Sequence, residues 1–544
     1  MLFRSSANSV VIVGGGLAGI GAALSCARLG IRSVLVSECE WLGGQVSSQA
    51  IPPDEHPWIE FAGCTHSYRT FRNNVRTFYT EHYPLTADAR SARLLNPGGG
   101  NIGPLSHEPF VAEMVIEQML APWRSRGLIE IIRDARVVRA DTTGDRVDSV
   151  TVELLDGTQR EISGGYYIDA TDLGDLIDAA GIEHVVGAES QSQTGEPHAL
   201  PGDPDPTDQQ AITWALALRL SPDTDNIIER PTSYDFWRSY QPDFWPGPLL
   251  GWEVSDYVTH EPRHRPLFVT APGPTGIRYD LWHARRVLAA ENMDGDWTSD
   301  NTIAAWPMMD YMRLPLVGGD PEHRETALDE AREFTRSFLY WMQTEAPRHD
   351  GGVGYPELRP HTEITGTADG LAKRPYIREG RRIAALFTVA EQHIGVAARN
   401  GFDSAEHFDD SVGIGAYRMD LHPSTSGRNT LDLDTYPFQI PLGSLIPVRV
   451  RNVLAAGKTM GTTHLTNGAY RVHPVEWSAG EASGAVAAFC LGAGVEPAEL
   501  RAKPELIADL QSLLTTRLGI DLEWPDFGPL TPTHRFGYVA TTSS

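Results

Sequence analysis

Short apolar runs alternate with helix-periodic segments at the start of the chain. The run Val10–Val13 predicts a buried parallel strand, and residues 17–29 predict a closely packed helix that ends at Gly30. Residues 33–37 predict a second strand. Residues 9–38 therefore predict one βαβ unit, which is the beginning of a parallel sheet.

Strand-like alternation of apolar and polar residues resumes after residue 127. The predicted strands are 128–132, 136–140, 149–155 and 166–168. These strands predict a β-meander that completes the N-terminal sheet domain. A strand that leads into Gly457 and a helix of small residues over 475–490 predict a return to the same domain near the C-terminus.

The segments between these elements predict how the chain is divided. Residues 189–210 are polar and rich in Pro and Asp, as expected of a boundary loop. The stretch that follows holds eight of the thirteen tryptophans, which we expect mainly in a core. We predict a first domain over 1–190 with an excursion over 46–110, an inserted substrate domain over 191–440, a return segment over 441–495 and a helical tail over 496–544.

Three glycines stand between the first strand and the first helix. Gly14, Gly16 and Gly19 have the spacing G-x-G-x-x-G, which permits a tight turn, close approach of a pyrophosphate and close packing of helix on strand. The N-terminus of the helix offers unpaired N–H groups to phosphates. Glu38 ends the second strand, where a carboxylate accepts hydrogen bonds from ribose hydroxyls. The segment predicts a dinucleotide-binding site.

A second pair of glycines, Gly43 and Gly44, follows the acidic residue. With this spacing the segment Trp41-Leu42-Gly43-Gly44-Gln45 resembles FAD-dependent oxidoreductases of the glutathione-reductase-like superfamily, in the branch with fumarate-reductase-type FAD domains. The resemblance extends to Ala170-Thr171-Asp172, where family members carry Ala-Thr-Gly. Here Asp172 replaces the glycine, and we expect Gly174 to supply the backbone freedom.

The resemblance implies that the C-terminal return segment binds the flavin end of FAD. Gly457 ends the strand, and Arg471 and Val472 precede a helix with Pro474 in its first turn, where proline is well tolerated. The helix dipole and Arg471 would stabilise the negative charge of reduced flavin.

Together these features predict an α/β fold. It consists of a Rossmann-like FAD-binding domain, made of a parallel sheet and a β-meander, and an inserted α+β substrate domain. FAD is the predicted cofactor, and we predict no metal. The residues expected to bind FAD are Gly14, Gly16, Leu17, Ala18, Gly19, Glu38, Cys39, Gly43, Gly44, Gln45, Val137, Ala170, Thr171, Gly457, Arg471 and Val472.

The remaining sequence excludes several flavin chemistries. The four cysteines include no Cys-x-x-Cys pair, which argues against a disulfide reductase. Gly351–Gly354 has no leading strand, so we interpret it as a loop and not as an NAD(P)H site. Residues 457–460 lack the Gly-Asp-Ala motif of aromatic-ring monooxygenases. A flavoprotein that is reduced by its own substrate remains.

Composition restricts the partners. The net charge of −26 disfavours nucleic acid, because binding it requires neutralisation of phosphates by Lys and Arg. Four unpaired cysteines fit a reducing compartment, and no segment is long and apolar enough to span a bilayer. We expect a soluble cytoplasmic monomer or homodimer that binds a small-molecule substrate and no membrane.

Oxidation by a flavin requires a base that removes the O–H or N–H proton. His464 and His473 are the histidines that the cofactor motif brings near the flavin, and either a base or a structural role is open to them. Arg471 and Arg378 are further catalytic candidates, although Arg378 and its basic neighbours are equally suited to salt bridges.

The predicted function is an FAD-dependent oxidase or dehydrogenase, an oxidoreductase that moves a hydride from a C–OH or C–N centre to flavin N5 and is reoxidised by O2 or another acceptor. Two alternatives remain open. One is a non-redox flavoenzyme, such as an isomerase, dehydratase or lyase, and the other is a protein that keeps FAD as a structural group.

Overall fold

The computed structural model describes residues 8–222, 224–273, 278–318 and 321–530. Residues 1–7 of the predicted first domain and 531–544 of the predicted tail lie outside the described residues.

Five parallel strands form the sheet that the apolar runs predict. The central strand Ser9–Val13 is fully buried and pairs with Arg32–Val36 on one side and Tyr166–Asp169 on the other. The outer strands are Ile129–Ile132 and Val453–Ala455. Because Val453–Ala455 pairs with Tyr166–Asp169, the C-terminal return completes a sheet that begins at residue 9. The predicted α/β fold class is confirmed.

An antiparallel meander follows the third strand of this sheet in the chain. It consists of Ala135–Thr143, Arg146–Leu154 and Gln159–Ile162, with the middle strand paired to both others. The predicted assignment of 128–132 and 166–168 to the meander is wrong, because these strands pair in parallel with the sheet. Asn452 fixes the meander to the sheet, since its side-chain amide bonds to both the N–H and the carbonyl of Val147.

Two helices from opposite ends of the chain pack at very short distance. Leu17–Arg28 and His473–Ala493 approach each other backbone to backbone. A Cβ atom on Gly480 would lie 2.0 Å from the carbonyl oxygen of Ala18, and one on Gly21 would lie 2.6 Å from that of Trp477. Glycine at position 480 of the second helix is therefore required by this contact.

A second hydrophobic core contains buried residues mainly from 211–377. Its antiparallel sheet has the strand order Arg286–Leu288, Asn301–Ala304, Leu216–Leu220 and Leu358–Pro360. Seven of the eight tryptophans between 214 and 341 are buried there, which agrees with their predicted core role. The limits of the inserted domain at 191 and 440 stay a prediction.

The shorter strand pairs are Glu253–Ser255 with Pro262–His264, Ile212–Thr213 with Asp310–Tyr311, His184–Val185 with Arg382–Ile383, Ser411–Gly415 with Phe438–Pro441, and Met419–Leu421 with Leu431–Leu433. The α-helices of the described chain are Leu17–Arg28, His66–His82, Ala87–Ser91, Pro109–Ser125, Asp175–Ala179, Gln191–Thr194, Tyr234–Ser239, Leu281–Ala284, Pro321–Thr344, Thr362–Thr365, Glu391–Ile394, His464–Tyr470, His473–Ala493, Pro497–Ala502 and Pro504–Leu513.

The sequence pattern did not predict two of the longer helices, Pro109–Ser125 and Pro321–Thr344. The first carries Pro122 close to its end, a residue that normally argues against a helix. Gly351–Gly354 lies in a loop, as predicted. Among the described residues, none of the helices combines the length and the apolar character that crossing a bilayer requires.

Substitution of Gly480 by Ala tests the close approach of the two helices. We expect the variant to lose at least about 2 kcal/mol of stability, because the new methyl group collides with backbone that cannot move aside. The matched control is Gly492→Ala in the same helix, where a Cβ meets nothing within 4 Å. The control should gain about 0.5–1 kcal/mol from helix propensity. Equal thermal unfolding midpoints for the two variants would contradict the close packing.

Candidate functional site

The three motif glycines differ in their surroundings. Gly14 has φ +115°, and a Cβ there would lie 2.1 Å from the carbonyl oxygen of Ala170. A Cβ on Gly19 would lie 1.8 Å from the carbonyl oxygen of Gly14. A Cβ on Gly16 meets nothing within 4 Å, so this position faces open space. The turn therefore has open space at Gly16, while it is closely packed at Gly14 and Gly19.

The open space is a cleft at the carboxyl ends of three adjacent strands of the parallel sheet, the position at which doubly wound sheets bind ligands. Seven residues predicted to bind the cofactor line it: Gly14, Gly16, Glu38, Cys39, Gly44, Ala170 and Thr171. The lining residues that the sequence prediction did not include are Gly15, Ser37, Trp41, Ser48, Gln49, Asp172, Leu173, Asp175, Arg324, Arg374 and Ile377.

The other predicted cofactor residues lie around this cleft. Leu17, Ala18 and Gly19 are buried in the helix behind the turn. Gly43 packs on Ile116, and Gly457 packs on Ala18. Val137 lies in the meander strand Ala135–Thr143 and does not line the cleft.

Glu38 forms an ion pair with Arg374 at the edge of the cleft. Burial raises the pKa of Glu38, and the guanidinium of Arg374 opposes this effect. Lys373 binds Glu40 in the same way, with 2.6 Å between Nζ and Oε1. These pairs attach the segment at 373–374 to the predicted ribose-binding strand, and no local sequence pattern signals a contact across more than 300 residues.

Asp172, which stands where the resembling family has glycine, joins three parts of the site. Its carboxylate accepts from Gln49 Nε2 and from Lys458 Nζ, both at 2.6 Å. Lys458 also lies 3.0 Å from Glu476 in the C-terminal helix. Burial alone would lower the pKa of Lys458, but the two carboxylates raise it. Gly174 has φ +73°, in agreement with the predicted backbone freedom.

Several buried polar atoms beside the cleft have no hydrogen-bond partner among the described residues. Gln45 Oε1, Gln49 Oε1 and Arg471 Nε are examples. Unpaired buried polar atoms cost free energy, so such atoms at a cleft indicate a polar ligand. The phosphate, ribityl and pyrimidine groups of FAD present the complementary donors and acceptors. The residues present therefore fit FAD.

Arg471 lies at the junction of the cleft and the C-terminal helix. Its guanidinium donates to the hydroxyl of Tyr376 and to the carbonyl of Asp420, both at 2.7 Å. Its carbonyl accepts from Gln45 Nε2 at 3.0 Å. The next residue, Val472, is the extended N-cap of the helix His473–Ala493. Arg471 thus lies directly before the buried start of this helix.

Arg378 is not an open anchor for substrate in this structure. The guanidinium is buried, donates to the carbonyl of Ala211 at 2.6 Å and lies 3.1 Å from Asp310. It also lies over the ring of Tyr376, 4.8 Å from the centroid. The ion pair with Asp310 corresponds to the salt-bridge alternative, and the ring contact joins Arg378 to the residue that Arg471 binds.

Both predicted catalytic histidines are buried, and both ring nitrogens of each have close polar neighbours. His473 Nδ1 accepts from the N–H of Asp54 at 3.0 Å, and Nε2 lies 3.3 Å from the carbonyl of Ile51. Burial lowers the pKa of His473 to about 4. His464 Nδ1 lies 2.9 Å from Glu379, and Nε2 lies 2.7 Å from Arg428. This geometry favours the structural alternative for both residues.

The described residues contain no group of three or more His, Cys, Asp or Glu side chains arranged to hold a metal ion. Burial raises the pKa of the Cys64 thiol to about 12, so Cys64 is not a reactive thiolate at neutral pH.

Comparison with known proteins places the chain in a family. The profile of the family described as FAD dependent oxidoreductase matches residues 9–514. The chain therefore belongs to the FAD-dependent oxidoreductases, and FAD is its cofactor. No curated protein sequence matches the chain significantly.

Solved structures of FAD enzymes are similar at low identity. The p-nitrophenol 4-monooxygenase PnpA of Pseudomonas putida DLL-E4 is 11% identical, with 94% of this chain and 86% of that chain covered and a TM-score of 0.36. The aromatic hydroxylase CabE from angucycline biosynthesis is 14% identical, with 96% and 77% covered and a TM-score of 0.31. The L-proline dehydrogenase of P. horikoshii is 17% identical, with 33% of this chain and 23% of that chain covered and a TM-score of 0.17. The chain thus spans about a quarter of that dehydrogenase.

Substitution of Gly16 by Ala tests whether the open side of the turn receives the cofactor. The added Cβ has room in the protein, so the apoprotein should keep its stability, whereas FAD affinity should fall at least about tenfold because the methyl group occupies the position predicted for the pyrophosphate. Titration of apoprotein with FAD, followed by flavin fluorescence, measures the affinity. An unchanged dissociation constant would place the pyrophosphate elsewhere.

The pH dependence of stability tests the buried pair of Glu379 and His464. Burial alone would raise the pKa of Glu379, but His464 and Arg382 lower it to about 2. Because the pKa of Glu379 is lower in the folded than in the unfolded protein, its carboxylate stabilises the fold at pH values above the ordinary pKa. This stability is lost as pH falls toward 2. The contribution is about 3 kcal/mol.

We expect the thermal midpoint of the wild type to fall more steeply between pH 5 and pH 3 than that of Glu379→Gln. The matched control is Glu253→Gln, which removes an exposed pair with His264 at 2.8 Å and should follow the wild type. Parallel curves for wild type and Glu379→Gln would show that the pair does not stabilise the fold.

Proposed function

We propose that the protein oxidises a small organic substrate at a C–OH or C–N centre. The family supports oxidoreductase chemistry on a small molecule. Oxidation at a C–OH or C–N centre is supported by a group of buried polar residues at the start of the helix His473–Ala493. Both ends of the chain meet residues of the 285–420 region there. Such a site suits an alcohol or amine better than an apolar substrate.

Ionic and hydrogen-bonding groups from several segments meet there. Arg285 lies 3.2 Å from Asp54, and the N–H of Asp54 donates to His473. Tyr376 accepts from Arg471, whose Nε has no partner among the described residues. These contacts hold the polar side chains in fixed positions, which is the condition for electrostatic stabilisation of a developing charge.

When bound, FAD accepts two electrons from the substrate and passes them to O2 or another acceptor. The chain's own residues bind and orient the substrate and stabilise charge. We assign charge stabilisation to Arg471 and the dipole at the start of its helix, and the positioning of Tyr376 to Arg378. We assign to His473 the positioning of the 51–54 loop, and to His464 the positioning of Glu379.

Three further proposals concern the protein as a whole. The glycine turn and the two-part cofactor site support membership in the glutathione-reductase-like superfamily. The cysteines at 26, 39, 64 and 490 form no disulfide, which supports a cytoplasmic location. We propose a monomer or homodimer that binds neither nucleic acid nor membrane.

Anaerobic mixing of the FAD-loaded protein with a panel of sugars, amines and hydroxylated aromatics tests the function. We expect at least one compound to bleach the visible flavin band persistently. Conversion of a compound without bleaching would indicate the isomerase, dehydratase or lyase alternative. Absence of both, with a flavin that dithionite still reduces, would indicate a structural cofactor.

The same assay tests the role of Arg471. Arg471→Gln should slow bleaching by about 10²–10³-fold, as expected for loss of a preorganised donor at a developing charge. The matched control Arg449→Gln alters an exposed arginine that pairs with Glu183 and should bleach at the wild-type rate. Equal rates for both variants would remove Arg471 from the site.

A further inference from the structure

Gln49 lines the cofactor cleft with only one half of its side-chain amide engaged. Its Nε2 donates to Oδ2 of Asp172 at 2.6 Å, whereas its Oε1 has no hydrogen-bond partner among the described residues. The residue is 2% exposed, and it lines the cleft together with Gly16 and Glu38. A buried amide oxygen without a donor costs free energy, so a ligand that supplies a donor here is favoured.

Asp172 determines how the Gln49 amide is turned. A carboxylate accepts hydrogen bonds and donates none, so the NH2 group of Gln49 faces Asp172 and its oxygen faces away. Lys458 fixes this carboxylate, because its buried Nζ lies 2.6 Å from Oδ1 of Asp172 and 3.0 Å from Glu476. Asp172 thus uses one oxygen for Lys458 and the other for Gln49. Residues from three segments of the chain therefore hold the Gln49 oxygen in one orientation.

The glycine turn and Gln49 are both in contact with Gly44. The N–H of Gln49 donates to the carbonyl of Gly44 at 3.0 Å, and a Cβ on Gly44 would lie 3.0 Å from Cα of Gly16. Gly16 is the position at which the pyrophosphate of a dinucleotide approaches the backbone. In FAD, a ribose and a ribityl chain are attached to the two ends of the pyrophosphate. The donors nearest to the pyrophosphate are therefore sugar hydroxyls, and the N–H groups of the two ring systems lie farther away.

We propose that Oε1 of Gln49 accepts a hydrogen bond from a sugar hydroxyl of FAD and that Asp172 is the positioning residue for this contact. The phosphates and ring carbonyls of FAD are acceptors, so Oε1 does not bind them. The contact depends on FAD as the cofactor and is independent of the reaction that the protein performs. It also gives a role to the carboxylate at position 172, where the resembling family has glycine and hence no side chain that orients Gln49.

Substitution of Gln49 by Met removes the acceptor and keeps the length of the side chain. The dissociation constant of FAD, measured by titration of apoprotein and followed by flavin fluorescence, should rise about tenfold. The apoprotein should unfold at the wild-type temperature, because Oε1 has no partner to lose and Asp172, whose side chain is 35% exposed, gains a donor from water. Unchanged FAD affinity would overturn the proposal, whatever the unfolding temperature.

Gln392→Met is the matched control. Gln392 also has an engaged Nε2, 3.0 Å from the carbonyl of Thr194, and an Oε1 without a partner among the described residues. It does not line the cleft. This variant should bind FAD with the wild-type dissociation constant. A loss equal to that of Gln49→Met would show that the effect does not come from contact with the cofactor, and it would overturn the assignment.

Two smaller ligands identify which sugar supplies the hydroxyl. FMN contains the ribityl chain without the ribose, and ADP contains the ribose without the ribityl chain. Each is titrated as a competitor of FAD against wild type and Gln49→Met. Weaker binding of FMN alone assigns the ribityl chain, and weaker binding of ADP alone assigns the ribose. Equal weakening of both would place Gln49 at the phosphates, and unchanged binding of both would remove it from the site; either result would overturn the hydroxyl contact.

A double variant tests the positioning role of Asp172. In Asp172→Asn the new amide donates to Oε1 of Gln49, which allows the Gln49 amide to turn its Nε2 toward the cofactor. FAD affinity should therefore fall. Adding Gln49→Met to Asp172→Asn should produce no further fall, because both changes remove the same contact. Additive losses would show that Asp172 acts independently of Gln49 and would overturn its positioning role.

Discussion

The close packing of the helices Leu17–Arg28 and His473–Ala493 is the contact on which the site depends. Its helix axes approach closely only because Gly21, Gly480 and Gly484 have no side chain where they meet opposing backbone. The contact places the start of the second helix beside the glycine turn, and the strand Val453–Ala455 joins the sheet that begins at Ser9. Segments more than 400 residues apart thus meet beside the cleft, where Lys458 pairs with the lining residue Asp172.

Buried charge is the second constraint. The chain is strongly acidic overall, yet the side chains of Arg378, Arg471 and Lys458 are buried and that of Arg285 is mostly buried. A buried cation is tolerated only when carboxylates or carbonyls pair with it. Asp54, Asp310, Asp172 and Glu476 supply these partners. The resulting network holds these side chains in fixed positions, and fixed charged groups are one means by which a protein stabilises charge on a cofactor.

Local sequence patterns predicted the features that local physics determines. A parallel strand buried on both faces requires a continuous apolar run, and a turn against Ala170 requires Gly14, so both were visible in the sequence. The pairs Glu38–Arg374 and Asp172–Lys458 were not, because their members lie 336 and 286 residues apart and no spacing rule relates them. Proximity to the cofactor motif identified His464 and His473, but only the three-dimensional structure reveals that their ring nitrogens lie close to other polar groups. The helix Pro321–Thr344 was missed although it lies in a region whose tryptophans were correctly assigned to a core.

Hydrogen exchange measured by mass spectrometry, with apoprotein compared to FAD-loaded protein, tests most directly whether both ends of the chain hold one cofactor. If they do, FAD slows exchange in residues 14–19, 38–49 and 170–174 and also in residues 457–476. Protection confined to the N-terminal segments, with unchanged exchange over 457–476, would contradict a cofactor site that both ends of the chain share.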